Sequence, residues 1–205
     1  MDEYFNFFLK KFAPILNRQE VPDSSIARYE NELPEQLIEY WREYGWGGYA
    51  EGLFWVVNPQ EYEGVLESWL ADTEFSQREN YYVIARSAFG KLYVWGEKSG
   101  WCLTISSHAA RYSGRVSKFT GDRLGFGVSV FFSFVRPDHN DLDGFFKPAL
   151  EKLGQLNSDE MYGFVPALAL GGAMDLRNLQ KVKTIEHLEF LSQLSPLQDW
   201  GFPEV

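Results

Sequence analysis

The residues able to do chemistry in this chain are few and scattered. Cys102 is the only cysteine, and His108, His139 and His187 are the only histidines. Zinc sites gather such ligands at short paired spacings, and these four match none. Cys102 follows Trp101 on a predicted strand, with no cationic or helix-terminal activator beside it in sequence, and reads as a core residue. His187 falls in a predicted last helix as an exposed or capping residue. The run Asp138-His139-Asn140-Asp141-Leu142-Asp143-Gly144 resembles a calcium loop only faintly. Aligned on Gly144, it puts His139 and Leu150 where carboxylates are required, so it reads as a solvated turn. Neither Gly45–Gly48 nor 121–127 has phosphate-loop spacing, and no nucleophile elbow occurs. Glu61/Glu63 and Asp159/Glu160 are paired carboxylates, but acid–base work needs a cleft that raises a pKa. Asp159-Glu160 reads as a cap or as a brace for the loop before Met161. The expectation is a protein with no catalytic residues, metal, cofactor or small-molecule substrate, hence not an enzyme. An enzyme of unrecognised type using carboxylates is the competing reading, and it requires a concave pocket with perturbed acids.

What remains is the chemistry of contact. Residues 1–80 hold 16 Asp/Glu against 6 Lys/Arg, whereas residues 81–205 hold 13 of each. The whole net charge of −10 therefore resides in the first eighty residues. Such a field repels nucleic acid and anionic membrane and attracts a basic protein. Tyr40, Trp41, Tyr44, Trp46, Tyr49, Phe54 and Trp55 crowd the same stretch. Trp and Tyr are frequent binding anchors, and acids around them steer a basic partner. Trp41, Phe54 and Trp55 read as core. Trp46 and Tyr49, in a glycine-rich turn, read as anchors. With them, Glu43, Glu51, Glu61 and Glu63 form the expected partner-binding set, completed by Glu67, Asp72 and Glu74.

The elements that must position these residues follow from periodicity. Tyr4, Phe5, Phe8, Phe12 and Ile15 predict an amphipathic helix over 3–16. Residues 22–25 predict a turn and a helix cap, and Pro34 opens a second helix with Leu37, Ile38, Trp41 and Tyr44 on one face. Residues 45–48 end it, 53–57 predict a buried strand, and Asn58-Pro59 starts a third helix. Residues 81–86, 91–95 and 101–105 predict antiparallel strands, with a further strand at 115–119. Residues 128–135 fit helix or strand equally. Helices are predicted over 145–153 and 175–194, with a tightly turned loop at 158–172. The fold class is α+β, a central antiparallel sheet flanked by helices, with a helical C-terminal third. Two regions, 1–110 and 111–205, meet near 107–122, as separate domains or one continuous fold.

A chain of 205 residues buries roughly 70% of its unfolded surface and needs no disulfide. A single cysteine, a start without signal-peptide character and no apolar run of membrane-spanning length predict a cytoplasmic protein.

Asp159-Glu160-Met161-Tyr162-Gly163-Phe164-Val165-Pro166-Ala167-Leu168-Ala169-Leu170-Gly171-Gly172, followed by Asn178–Lys183 and His187-Leu188, strongly resembles the signature of a C-terminal domain found behind GAD-like domains. The N-terminal part, with Leu33-Pro34 and the run 52–59, resembles the GAD-like domain itself. Together they span nearly the whole chain. Proteins of this two-part design resemble immunity proteins of bacterial type VI secretion systems. The resemblance implies a cognate toxin as partner, a DNase effector, and no catalytic residues. The pattern of 33–45 is also similar to the cell-wall-regulator-like immunity superfamily, which would keep the function and change the fold. The alternative function is a non-catalytic regulatory or scaffold module for another basic protein.

Overall fold

In the strand β5 (Lys91–Gly96), alternate side chains turn to opposite faces, and both faces are buried. Leu92 and Val94 enter one core, while Tyr93 and Trp95 enter the other. This strand is the centre of the fold. The structure, a computed structural model, describes residues 2–201. Strands β1 (Leu16–Gln19), β2 (Trp46–Tyr49), β3 (Phe54–Val56), β4 (Tyr81–Ser87), β5, β6 (Gly100–Ser106), β7 (Arg111–Gly114) and β10 (Gln198–Asp199) form one sheet in that order. Neighbours are antiparallel except β7 and β10, which run parallel. Tyr82 faces Trp95 and Val94 faces Leu103 across the central ladders. Strands β8 (Glu160–Phe164) and β9 (Leu179–Lys183) form a separate antiparallel pair. The class is α+β, with a mostly antiparallel sheet flanked by helices.

One face carries α1 (Glu3–Phe12), α2 (Asp23–Tyr29), α3 (Glu35–Tyr44) and α5 (Leu124–Phe134). The other carries α4 (Glu63–Leu70), α6 (Phe146–Leu153), α7 (Thr184–Leu194) and the β8–β9 pair. Asp2 caps α1 by accepting a hydrogen bond from the Phe5 amide at 2.8 Å. Phe5, Phe8 and Phe12, at helical spacing, are buried. The helix stops two residues before Pro14, short of the predicted 16, because proline cannot continue the hydrogen-bond ladder. Lys11 Nζ donates to the carbonyls of Ser133 (3.0 Å) and Val135 (2.8 Å), joining α1 to the C-terminal end of α5. Both regions contribute to both cores: Phe5 and Phe131 share one, and Trp55 and Met161 share the other.

Several elements differ from the sequence-based expectation. Residues 45–48, expected to form a turn, mostly form β2, because their glycines let strands approach closely. A Cβ on Gly48 would lie 2.9 Å from the Trp55 ring. The predicted turn at 22–25 opens α2. The further strand lies at Arg111–Gly114, not at 115–119. The ambiguous 128–135 run is mostly α5. The predicted loop 158–172 contains β8, and the predicted helix 175–194 is α-helical only from Thr184, after a single 3₁₀ turn at Leu176–Asn178. Leu176, Leu179 and Val182 mimic a helical stripe, yet 179–183 pairs with β8. The C-terminal third therefore holds α6 and α7 with a strand pair between them.

Candidate partner-binding surface

The two expected aromatic anchors are corrected by the structure. Trp46 is 5% exposed and Tyr49 1%. Trp46 packs edge-on to Trp41, with ring centroids 5.6 Å apart, and Tyr49 edge-on to Phe8 at 5.0 Å. Because β2 runs inside the sheet, its rings fill the core and offer no free contact area. Trp41, Phe54 and Trp55 are buried, as their reading as core requires.

The seven acids are all exposed but not all together. Glu43 lies in the last turn of α3, and Glu51 sits in a left-handed turn at φ 59°. Glu61 precedes α4, and Asp72 follows it. Glu74 pairs with Arg78. Only Glu63 and Glu67 share a concave site, an open groove of about 520 Å³ whose other charged residues are Glu32, Glu79 and Arg28. Glu63 Oε1 accepts from Arg28 (2.6 Å) and from the Tyr29 hydroxyl (3.1 Å). Burial, and then the Glu63 charge, push the Tyr29 hydroxyl well above the usual tyrosine range. Glu32 accepts from Tyr82 at 2.8 Å.

A second open groove, of about 550 Å³, adjoins the first through Glu32. Glu32, Glu35 and Glu39 reach it from the start of α3 and the turn before it; Glu97 and Asp122 reach it from distant loops. Its lining contains no Lys or Arg. None of these five carboxylates has an ion-pair partner among the described residues. Sequence reasoning missed this groove. The three- and four-residue steps from Glu32 to Glu39 were a legible signal, whereas Glu97 and Asp122 arrive only through the tertiary fold.

The C-terminal signature has a different role. Met161, Tyr162 and Phe164 are buried, and the Tyr162 amide donates to Ala88 O at 2.8 Å. Arg86 on β4 is 0% exposed. Its guanidinium donates to Tyr62 Oη (3.0 Å), to the carbonyl of Ser87 (3.3 Å) and to those of Ser158 and Glu160 (2.9 Å each). It also lies over the Trp55 ring, 4.9 Å from the centroid. The start of the signature is thus tied to the sheet, while Val165 and Leu170, further along it, are exposed. Asp159 pairs with Lys183, and Glu160 accepts from the Asn157 amide at 2.9 Å, bracing the segment before Met161.

His187, expected to be exposed or capping, is half-buried beside Gly163, where a Cβ would lie 2.6 Å from Nε2. His108 and His187 line one small cavity with Met161 and Phe164. Burial, then the Lys91 charge, push His108 down to about 4; burial lowers His187. Cys102 is buried, and burial pushes its thiol up. Among the described residues, no cluster of His, Cys, Asp and Glu could hold a metal ion. No described helix is long and apolar enough to cross a membrane.

The fold is thus a mostly antiparallel sheet covered by helices on both faces, with two adjoining acidic grooves at its surface. The chain belongs to the GAD-like domain family, whose model matches residues 3–109. Residues 126–195 match a second model, the C-terminal domain of T6SS immunity protein Tdi1, and this supports an immunity role. The crystal structure of Atu4351 from Agrobacterium tumefaciens has the same fold, with a TM-score of 0.86 at 23% identity over 97% of this chain and 94% of that one. The comparison with curated proteins gives no match.

Proposed function

We propose that this chain is a cytoplasmic immunity protein that binds and neutralises a cognate toxic nuclease, a DNase effector of a type VI secretion system. The observation that carries the reading is the match of residues 126–195 to the immunity protein's C-terminal domain. The charge distribution supports it. A nuclease presents a basic cleft to phosphates, and an acidic inhibitor is drawn to it at rates up to ~10⁸–10⁹ M⁻¹s⁻¹ at low salt. The groove holding Glu63 and Glu67 is a concave surface of the required sign. Bound there, the acidic face blocks or distorts the active site of the toxin, and neither chemistry nor a cofactor is needed.

The test is co-expression with the candidate toxin encoded beside the gene, scoring survival and co-purification. Rescue together with a stable complex is the expected result. Unrelieved toxicity without a complex, repeated for every plausible neighbour, would refute immunity and favour the scaffold reading.

A further inference from the structure

The groove adjoining the Glu63 site borders a surface that the sheet does not cover. Phe126 on α5 forms part of its wall and is 43% exposed. Tyr4 on α1 is 41% exposed and packs edge-on to Phe126, with ring centroids 5.4 Å apart. Phe119 also packs edge-on to Phe126, with ring centroids 5.3 Å apart. Tyr4 and Phe126 thus form an exposed ledge, backed by the half-buried Phe119, beside five carboxylates that lack ion-pair partners among the described residues. Buried rings stabilise a fold, but half-exposed rings in contact with one another leave apolar area in water. Uncompensated like charges repel across a groove, and a cationic occupant relieves that repulsion.

We infer that a partner docks across this groove and onto the Tyr4–Phe126 ledge, presenting Lys or Arg side chains to Glu32, Glu35, Glu39 and Asp122 and an apolar side chain to the rings. This rests on the toxin-binding reading and locates its centre away from Glu61, Asp72 and Glu74. Charge selects the occupant. A second copy of this chain carries −10 and is repelled, as is nucleic acid, whereas a basic protein segment matches both the acids and the rings. Phe126 opens the Tdi1-type match, and Tyr4 lies in the GAD-like match, so one partner engages both regions.

The experiment measures affinity of the full chain for the toxin it rescues, with three variants: Glu35→Lys/Glu39→Lys, Phe126→Ser and, on the exposed loop of the C-terminal signature, Leu170→Ser. All the altered side chains are exposed, and thermal melts verify folding. The first two should each lose roughly tenfold or more in affinity, the charge variant chiefly through slower, less salt-dependent association. Leu170→Ser should bind as wild type. Wild-type affinity in both groove variants, or loss confined to Leu170→Ser, would overturn the inference while leaving immunity intact. Should the wild-type chain rescue no toxin, amide chemical shifts of the full chain titrated with a Lys/Leu amphipathic peptide decide the surface. Shifts clustered at 32–39 and 119–126 retain it without immunity; shifts elsewhere, or none, reject it.

Discussion

The two faces of the sheet are stabilised by different means. Under α1, α3 and α5 the core is a continuous set of rings: Phe8 lies stacked or tilted edge-on against Phe12, Tyr49, Phe54 and Phe132 at 4.7–5.6 Å between centroids. Under α4, α6 and α7 the core is more aliphatic, and it encloses a buried guanidinium and two half-buried imidazoles. The ring-packed face derives most of its order from shape and area, with buried hydrogen bonds only at its tyrosines, such as Tyr40 with Ser129 (3.1 Å) and Tyr93 with Asn140 (2.9 Å). The second face derives part of its order from hydrogen bonds with a fixed geometry, and these attach the C-terminal signature to the sheet. The signature strand thereby acquires one position and one register.

Removing Arg86 is the strongest test of that difference. Arg86→Ala strips donors from Tyr62 and from the Ser158 and Glu160 carbonyls and leaves a cavity. At ~1–3 kcal/mol for each stranded acceptor, a loss of about 5 kcal/mol is expected by denaturant titration. Arg86→Met fills the volume without the donors and should recover less than half of that loss. A methionine variant as stable as wild type would show that both faces rely on packing alone. On the other face, Phe8→Ala should cost about 3–5 kcal/mol, as large-to-small core changes do. The two changes should differ in place as well as size: hydrogen exchange at Tyr162 should quicken more in the Arg86 variants than in Phe8→Ala.

Acid separates the faces a second time. His108 is depressed to about 4 from an ordinary 6.5, because burial and the neighbouring Lys91 disfavour the cation, while Asp143 favours it weakly. A depressed histidine takes up its proton more readily when unfolded. Its contribution to stability is therefore fully present above about 6.5 and is lost as pH falls through the folded value near 4. His187 acts in the same sense. Thermal melts should therefore decline from pH 6.5 to 4, and His108→Gln should flatten the decline. An unchanged slope in that variant would place the acid sensitivity elsewhere.

These contrasts were only partly legible in the sequence. The helices at α1 and α3 follow from apolar stripes at helical spacing, and the strands β4, β5 and β6 from short apolar runs bounded by turn residues. Residues 179–183 do not, because Leu176, Leu179 and Val182 fit a helical period while their partner strand lies at 160–164. Trp46 and Tyr49 failed as anchors for a similar reason. Glycines read as a turn signal were there to admit neighbouring strands and rings. The acidity of the first eighty residues was plain, but which acids share a groove depends on Glu97 and Asp122, brought there by contacts distant in sequence. Arg86 gave no local sign of its role, since, apart from the adjacent Ser87 carbonyl, its acceptors lie more than seventy residues away or belong to a helix-start tyrosine.

Charge at the seam between the two faces should affect stability least and association most. Arg28 belongs to α2 on the ring-packed face and Glu63 to α4 on the other, and they meet at 2.6 Å. Both side chains are nearly half exposed, so water and salt screen the pair and it should contribute only ~0–1 kcal/mol. Glu63→Gln should therefore melt close to wild type. Reversing Glu61, Glu63 and Glu67 together should also leave the fold in place, with Arg28 then facing a cation. Its effect belongs in kinetics: association with the toxin should slow and lose salt dependence, because long-range attraction sets the on-rate while close packing sets the off-rate. Unchanged association rates would remove this groove from the interface and leave the groove at Glu35 and Glu39 as the steering surface. A large loss of stability would instead make the seam a structural joint between faces that otherwise hold themselves.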